Sequence, residues 1–248
     1  MDWLYIVLGI IFVVCLIAII KFVKTILKVI IATFSLCIIM IMIAGVIIFA
    51  DIQSFNSQYP TKQSLYIMEY PMGNVAAGFY GVLGADANKI HPISRDQIIL
   101  YQPKFKNNDL GAIIGNNYKL FIIKLASFDS LETIRIGEDI SITKEQLLSL
   151  ISSEKPIDDF VVIMMGKDSS ENQRNAYKDA LLSNLKISTD AEFKGLLFLN
   201  AVGNISKNNG LFYLLTEFKK GNIIIYPQTI LFDFISVMPV EWFEKLIL

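Results

Sequence analysis

The feature that most constrains this chain is the near absence of charge at its start. Between Trp3 and Ala50 the only charged side chains are Lys21, Lys24 and Lys28. They part an uncharged run of 18 residues, Trp3 to Ile20, from one of 22, Val29 to Ala50. A helix needs about 20 apolar residues to cross the hydrocarbon core of a bilayer, so two spans, 3–20 and 29–50, are expected. Together they make residues 1–50 a membrane anchor in the form of a transmembrane helical hairpin. Three lysines with no acidic partner in a short connection stay on the cytoplasmic side. The chain beyond Ala50 is then expected outside the cell membrane, and Lys62 is the sole basic residue from Asp51 to Tyr70.

One observation opposes the hairpin. The connection KFVKTILK holds neither Gly nor Pro, and lysines at i, i+3 and i+7 share one face of an uninterrupted helix. If only Val29 to Ala50 spans, the lysines still precede the span and the exit side is unchanged. A cleaved signal peptide fits less well, since Asp2 occupies the would-be positive segment and cleavage after Ala50 would put a bulky Ile48 near the cut.

The apolar excess, 54% of residues, is concentrated in the anchor, which argues against a polytopic transporter. Residues 51–248 carry 19 basic and 22 acidic side chains, a formal charge of −3, so no basic face for nucleic acid is expected. Cys15 and Cys37 both lie in the apolar runs. They read as apolar space-fillers, and the attached domain can form no disulfide of its own.

Residues 51–63 read as a polar juxtamembrane connector with Pro60 as punctuation, and residues 64–248 as one extracytoplasmic α+β domain. Its first half is strand-rich: SLYIMEY, a PMGN turn, VAAGFYG, QIILYQ, YKLFIIKL and LETIRIG. Its second half is helix-rich. Thr143 with Gln146, Ser170 with Gln173 and Thr189 with Glu192 each have capping-box spacing. The third helix is expected to close at Gly203 and another to run from Leu211 to Lys219. FVVIMM, a short continuous apolar run, reads as a buried strand, NIIIY as a second one, and Pro227 as the first residue of a last helix. The C-terminal PVEWFEKLIL reads as core packing or, with Trp242 and Phe243, as contact with the bilayer surface or the anchor.

Few motifs carry chemistry. A single histidine, His91, and a cysteine-free domain disfavour transition-metal sites. The acidic pairs Glu138–Asp139 and Asp158–Asp159 lack the spacing of a calcium loop. Neither phosphate-binding glycine loop is present, so no cofactor is implied. His91, Ser94 and Asp96 supply the residue types of a catalytic triad without evidence of its geometry. Ser141 and Lys144 form an S-x-x-K string at a helix start, and Ser206–Lys207–Asn208 and Lys219–Lys220–Gly221 imitate the downstream elements of penicillin-binding serine acyltransferases. The imitation departs at the second lysine of KKG and in the ten-residue gap between the two strings. Asn204, Ile205 and Ser206 make an N-glycosylation sequon.

Three patches, FADIQSFNSQYPTKQSLYIMEY, NVAAGFYG and KKGNIIIYPQTILF, resemble uncharacterised archaeal membrane-anchored proteins. The resemblance implies membrane attachment and shared architecture, no activity, and no catalytic residue; two apolar segments depart from that pattern. The expected function is a membrane-anchored binding or scaffold domain outside the cell, its partners the lipid bilayer and another envelope or membrane protein. The alternatives are a serine-dependent envelope hydrolase or acyltransferase using Ser141 and Lys144, and an accessory subunit of a membrane complex.

Overall fold

The computed structural model describes residues 2–70, 73–82, 90–136 and 140–239. Residues 1–50 and 51–248 form two separate units. The chain is mixed α+β, with a long apolar N-terminal helix and a globular domain.

The hairpin is not there. One helix, α1, runs from Asp2 to Gln58, and Lys21, Lys24 and Lys28 sit in its middle. With no Gly or Pro and almost wholly apolar flanks, nothing in KFVKTILK breaks the i to i−4 ladder. From Phe12 to Ala50 every side chain is exposed apart from the half-buried Ile48. The expected connector is also revised in part. Residues 51–58 are the last two turns of α1, and Phe55 is buried.

The domain is built on a five-stranded sheet of β1 (Ser64–Tyr70), β2 (Asn74–Gly81), β3 (His91–Pro92), β4 (Leu120–Lys124) and β7 (Ile223–Tyr226), in the order β3-β2-β1-β4-β7. β1 and β4 are parallel, and the other neighbours are antiparallel. The β1–β2 hairpin turns through Gly73, whose φ of +70° is a conformation a Cβ disfavours; Pro71 and Met72 lie outside the described residues. A separate ribbon pairs β5 (Thr133–Ile136) with β6 (Ile140–Thr143).

Alternation along each strand divides the sheet into two apolar faces. On one, Leu65, Ile67, Leu120 and Ile122 pack with Ile113 and Ile114 of α3 (Leu110–Ile114) and with Ile98 and Tyr101 of α2 (Arg95–Lys106). On the other, aromatic rings stack. Tyr66 lies between Phe79 at 4.7 Å and Phe121 at 4.9 Å, Phe79 meets Phe198 at 5.3 Å, and Phe121 meets Tyr59 at 5.7 Å.

That second face is covered by α7 (Asp190–Lys219), around which stand α4 (Lys144–Ser152), α5 (Pro156–Met165) and α6 (Glu171–Leu185). All three expected capping boxes form, at Thr143, Ser170 and Thr189. Helix α7 approaches the sheet closely at Gly195, where a Cβ would come within 2.6 Å of Pro92 Cβ and 2.8 Å of the Gly78 carbonyl oxygen.

Four elements differ from expectation. QIILYQ is helical, in α2, because Ser94 and Gln97 form a capping box ahead of it. FVVIMM is helical, in α5, which Pro156 opens and Asp158 and Asp159 favour from the first turn. Helix α7 runs through Gly203 and absorbs 211–219, since burial of Phe198, Ala201, Val202, Ile205 and Leu214 outweighs a glycine cost of about 1 kcal/mol. Pro227 follows Tyr226 through a cis peptide, and α8 begins later, spanning Ile230–Val237.

Candidate functional site

Two groups of polar side chains occupy opposite ends of the sheet. The first gathers where β1 and β4 begin and β7 ends. Parallel pairing starts there, with Tyr118 N–H donating to the Gln63 carbonyl and Leu65 N–H to the Lys119 carbonyl, both at 2.8 Å. This holds Lys119 at the end of the sheet, just ahead of the interior strand β4, where it is 2% exposed. Its Nζ donates to the Pro227 carbonyl at 2.5 Å and lies 5.6 Å from the Tyr118 ring and 5.3 Å from the Phe232 ring. Burial pulls the Lys119 ammonium below the ordinary lysine range, and the Asp51 carboxylate opposes that shift. Beside it, Tyr66 O–H donates to Tyr59 Oη at 3.2 Å. Burial pushes Tyr59 up to about 12 and Tyr66 well above the ordinary tyrosine value.

Asp51 is the hub of this end. Its Oδ2 accepts a hydrogen bond from the Leu231 N–H at 2.7 Å, at the second residue of α8. Thr229, the N-cap of α8, makes no side-chain cap bond, and its buried hydroxyl has no partner among the described residues. Asp51 therefore does from α1 what the local cap does not. A carboxylate there also meets the positive end of the helix dipole.

The second group closes the α7–β7 turn. Glu217, buried, accepts from Lys220 Nζ at 2.8 Å and from Asn222 Nδ2 at 2.7 Å. Gly221 provides the left-handed residue at φ +76°. Burial and then the Glu217 carboxylate raise the Tyr213 phenol. Nearby, Ile123, Phe128, Val202, Ile205, Tyr213, Leu214 and Ile223 line an apolar hollow too small for more than about one water molecule.

The expected site residues are dispersed. Ser141 lies on β6 opposite Arg135, while Lys144 opens α4 and pairs with Asp129 at 2.7 Å. The two therefore do not share one helical turn, the arrangement S-x-x-K chemistry requires. Ser206, Lys207 and Asn208 are inside α7, and Lys219 at its end donates from Nζ to the Ile235 and Met238 carbonyls. His91 is on β3 with its ring 5.6 Å from Tyr80, and Ser94 caps α2, with Asp96 in the first turn. Asp158 pairs with Lys178 at 2.5 Å, and Asp159 accepts from the Ser153 hydroxyl. Glu138 and Asp139 lie outside the described residues, as do Trp242 and Phe243.

Asn204 is on α7, its Nδ2 donating to the Arg135 carbonyl at 3.2 Å and the Asn200 carbonyl at 2.7 Å. Lys21, Lys24 and Lys28 are exposed on α1. No cluster of three His, Cys, Asp or Glu side chains able to hold a metal occurs among the described residues. Sequence reasoning missed Asp51 and Lys119; the buried lysine's one local signal was its place just ahead of the apolar run LFIIK.

Both groups are joints between elements, Asp51 and Lys119 bonded to backbone atoms around α8 and Glu217 bonded to Lys220 and Asn222. Compared with family models, curated proteins and solved structures, the chain matches none.

Proposed function

We propose that this protein is an integral membrane protein that presents residues 51–248 outside the cell as a binding or scaffold domain. The observation that carries the reading is the stretch from Val29 to Ala50, 22 uncharged helical residues whose side chains are exposed almost throughout. At about 1.5 Å per residue it is about 33 Å long, which fits a hydrocarbon core of about 30 Å. In water, so much bare apolar surface would drive aggregation. Lys21, Lys24 and Lys28 precede the stretch and hold that end in the cytosol.

The polar side chains of the two groups around Asp51 and Glu217 serve internal joints of the domain. A single crossing by 29–50 leaves the exposed side chains from Phe12 to Ile20 uncovered, and this favours a second reading, an accessory subunit whose partner helices cover them. Mild-detergent purification followed by mass spectrometry tests the binding role, with a reproducibly co-purifying envelope or membrane protein expected. Recovery of the protein alone, repeatedly, contradicts it.

A further inference from the structure

Helix α8 is short and unusually apolar for an element at the surface. Leu231, Phe232 and Ile235 point into the core, and Phe232 packs edge-on against Phe55 at 5.3 Å. The opposite side is apolar too. Ile230, Phe234 and Val237 are 52%, 41% and 79% exposed, and their spacing of i, i+4 and i+7 places them in one stripe along the helix. Asp233 and Ser236, both exposed, flank that stripe. A soluble domain has no reason to leave the outer face of an eight-residue helix this apolar.

The position of α8 in the chain supplies one. Its N-terminus is bound to Asp51 through the Leu231 N–H at 2.7 Å, and Asp51 is the first residue after the uncharged run that ends at Ala50. Whatever angle the domain takes, that bond keeps the start of α8 within one side-chain length of the end of the span. Ile52 is part-exposed, and the exposed Lys62 places its Nζ 5.6 Å from the ring of the part-exposed Tyr118. Tyr and Lys are the residues that settle at the headgroup layer.

We infer that α8 is a membrane-surface helix, its Ile230–Phe234–Val237 stripe inserted at the boundary between headgroups and acyl chains beside the point where α1 leaves the bilayer. The span and the stripe then fix the domain at two points, so that it is held in one attitude to the membrane and does not swing on its tether. The lipid surface, and not a protein, is the occupant, because the stripe is tied to the residue where lipid ends. This rests on the membrane-anchored reading above.

The test uses the full chain with Cys15 and Cys37 replaced by alanine, reconstituted in phosphatidylcholine vesicles that hold a minor fraction of anionic lipid. A bimane fluorophore is attached at Phe234→Cys or Val237→Cys, or at Glu132→Cys, an exposed residue at the opposite end of the sheet. Quenching by headgroup and shallow-chain nitroxide lipids is compared with quenching by aqueous iodide. The labels at 234 and 237 are expected to be quenched several-fold more by nitroxide lipid than the label at 132, and less by iodide. Protein that floats with the vesicles while labels 234 and 237 behave like label 132 overturns the surface-helix assignment alone. Labels shielded from both quenchers mean that protein, a second copy or the chain's own C-terminal residues, covers the stripe, and this also overturns it. Protein that does not float overturns the membrane reading itself.

Discussion

The backbone N–H of Leu231 donates to the carboxylate of Asp51 across 2.7 Å, joining residues 180 positions apart. The contact caps α8 with a side chain borrowed from the end of α1, where Thr229 makes no cap bond of its own. Loss of a helix cap costs about 0.5–2 kcal/mol. Asp51→Ala should therefore lower the unfolding free energy of the detergent-solubilised chain by about 1–2 kcal/mol. Asp51→Asn, which keeps an acceptor oxygen and loses the charge, should lower it by less. Denaturant titration followed by tryptophan-independent circular dichroism reads both.

Gly195 sets two opposing effects against each other. Alanine in a helix interior gains about 1 kcal/mol over glycine. Here its Cβ would fall 2.6 Å from Pro92 Cβ and 2.8 Å from the Gly78 carbonyl oxygen, and overpacking of this kind costs about 1–3 kcal/mol. Both obstacles are backbone or ring atoms, with no flexible side-chain end to move aside. Gly195→Ala should accordingly be net destabilising, by about 1–2 kcal/mol, measured as a lowered midpoint of thermal unfolding.

Alkali should unfold the domain through its buried phenols. Tyr59 ionises near pH 12 in the folded protein and near about 10 when unfolded. Between those values the unfolded chain has lost the proton and the folded chain keeps it, so stability is complete below about pH 10 and falls as the pH climbs toward the folded value. At 1.36 kcal/mol per unit, the loss through this one group approaches about 2–3 kcal/mol. Tyr66, also raised by burial, acts in the same direction. Tyr59→Phe should flatten the decline, as read by denaturant titrations from neutral pH upward.

Asn204 lies in a sequon, yet both hydrogens of its Nδ2 are engaged, one with Arg135 and one with Asn200, inside α7. Expressed through the secretory route of a glycosylating host, the folded protein should carry no glycan at Asn204. Intact mass before and after glycosidase digestion checks this, and no change is expected. Asn204→Ala should loosen the β5–β6 ribbon, which this side chain ties to α7, and speed amide exchange on β5.

Much of the domain is legible in local sequence because its signals are local. The β1–β2 hairpin alternates around a glycine turn, β4 and β7 are short apolar runs, and the three capping boxes fix where α4, α6 and α7 start. Where reading fails, a general signal has been preferred to a specific one. Ile98, Ile99 and Tyr101 favour a strand on propensity, but the Ser94–Gln97 box three residues earlier commits the segment to helix. FVVIMM is apolar enough for either state, and Pro156 with two following aspartates decides it. Gly203 reads as a stop in isolation, and only the packing of α7 on the sheet carries the helix past it. The polar centre around Asp51 and Lys119 has no local signature, because its members come from α1, the start of β4 and the start of α8. No window of sequence contains them together.

The central claim is that Val29 to Ala50 holds the protein in the bilayer. Membranes from expressing cells, washed in high salt and floated through a density gradient without detergent, test it directly when the intact chain is run beside one lacking residues 29–50. The account predicts that the intact chain rises with the lipid and that the shortened chain stays in the load zone. An intact chain that remains in the load zone as a dispersed monomer would contradict it.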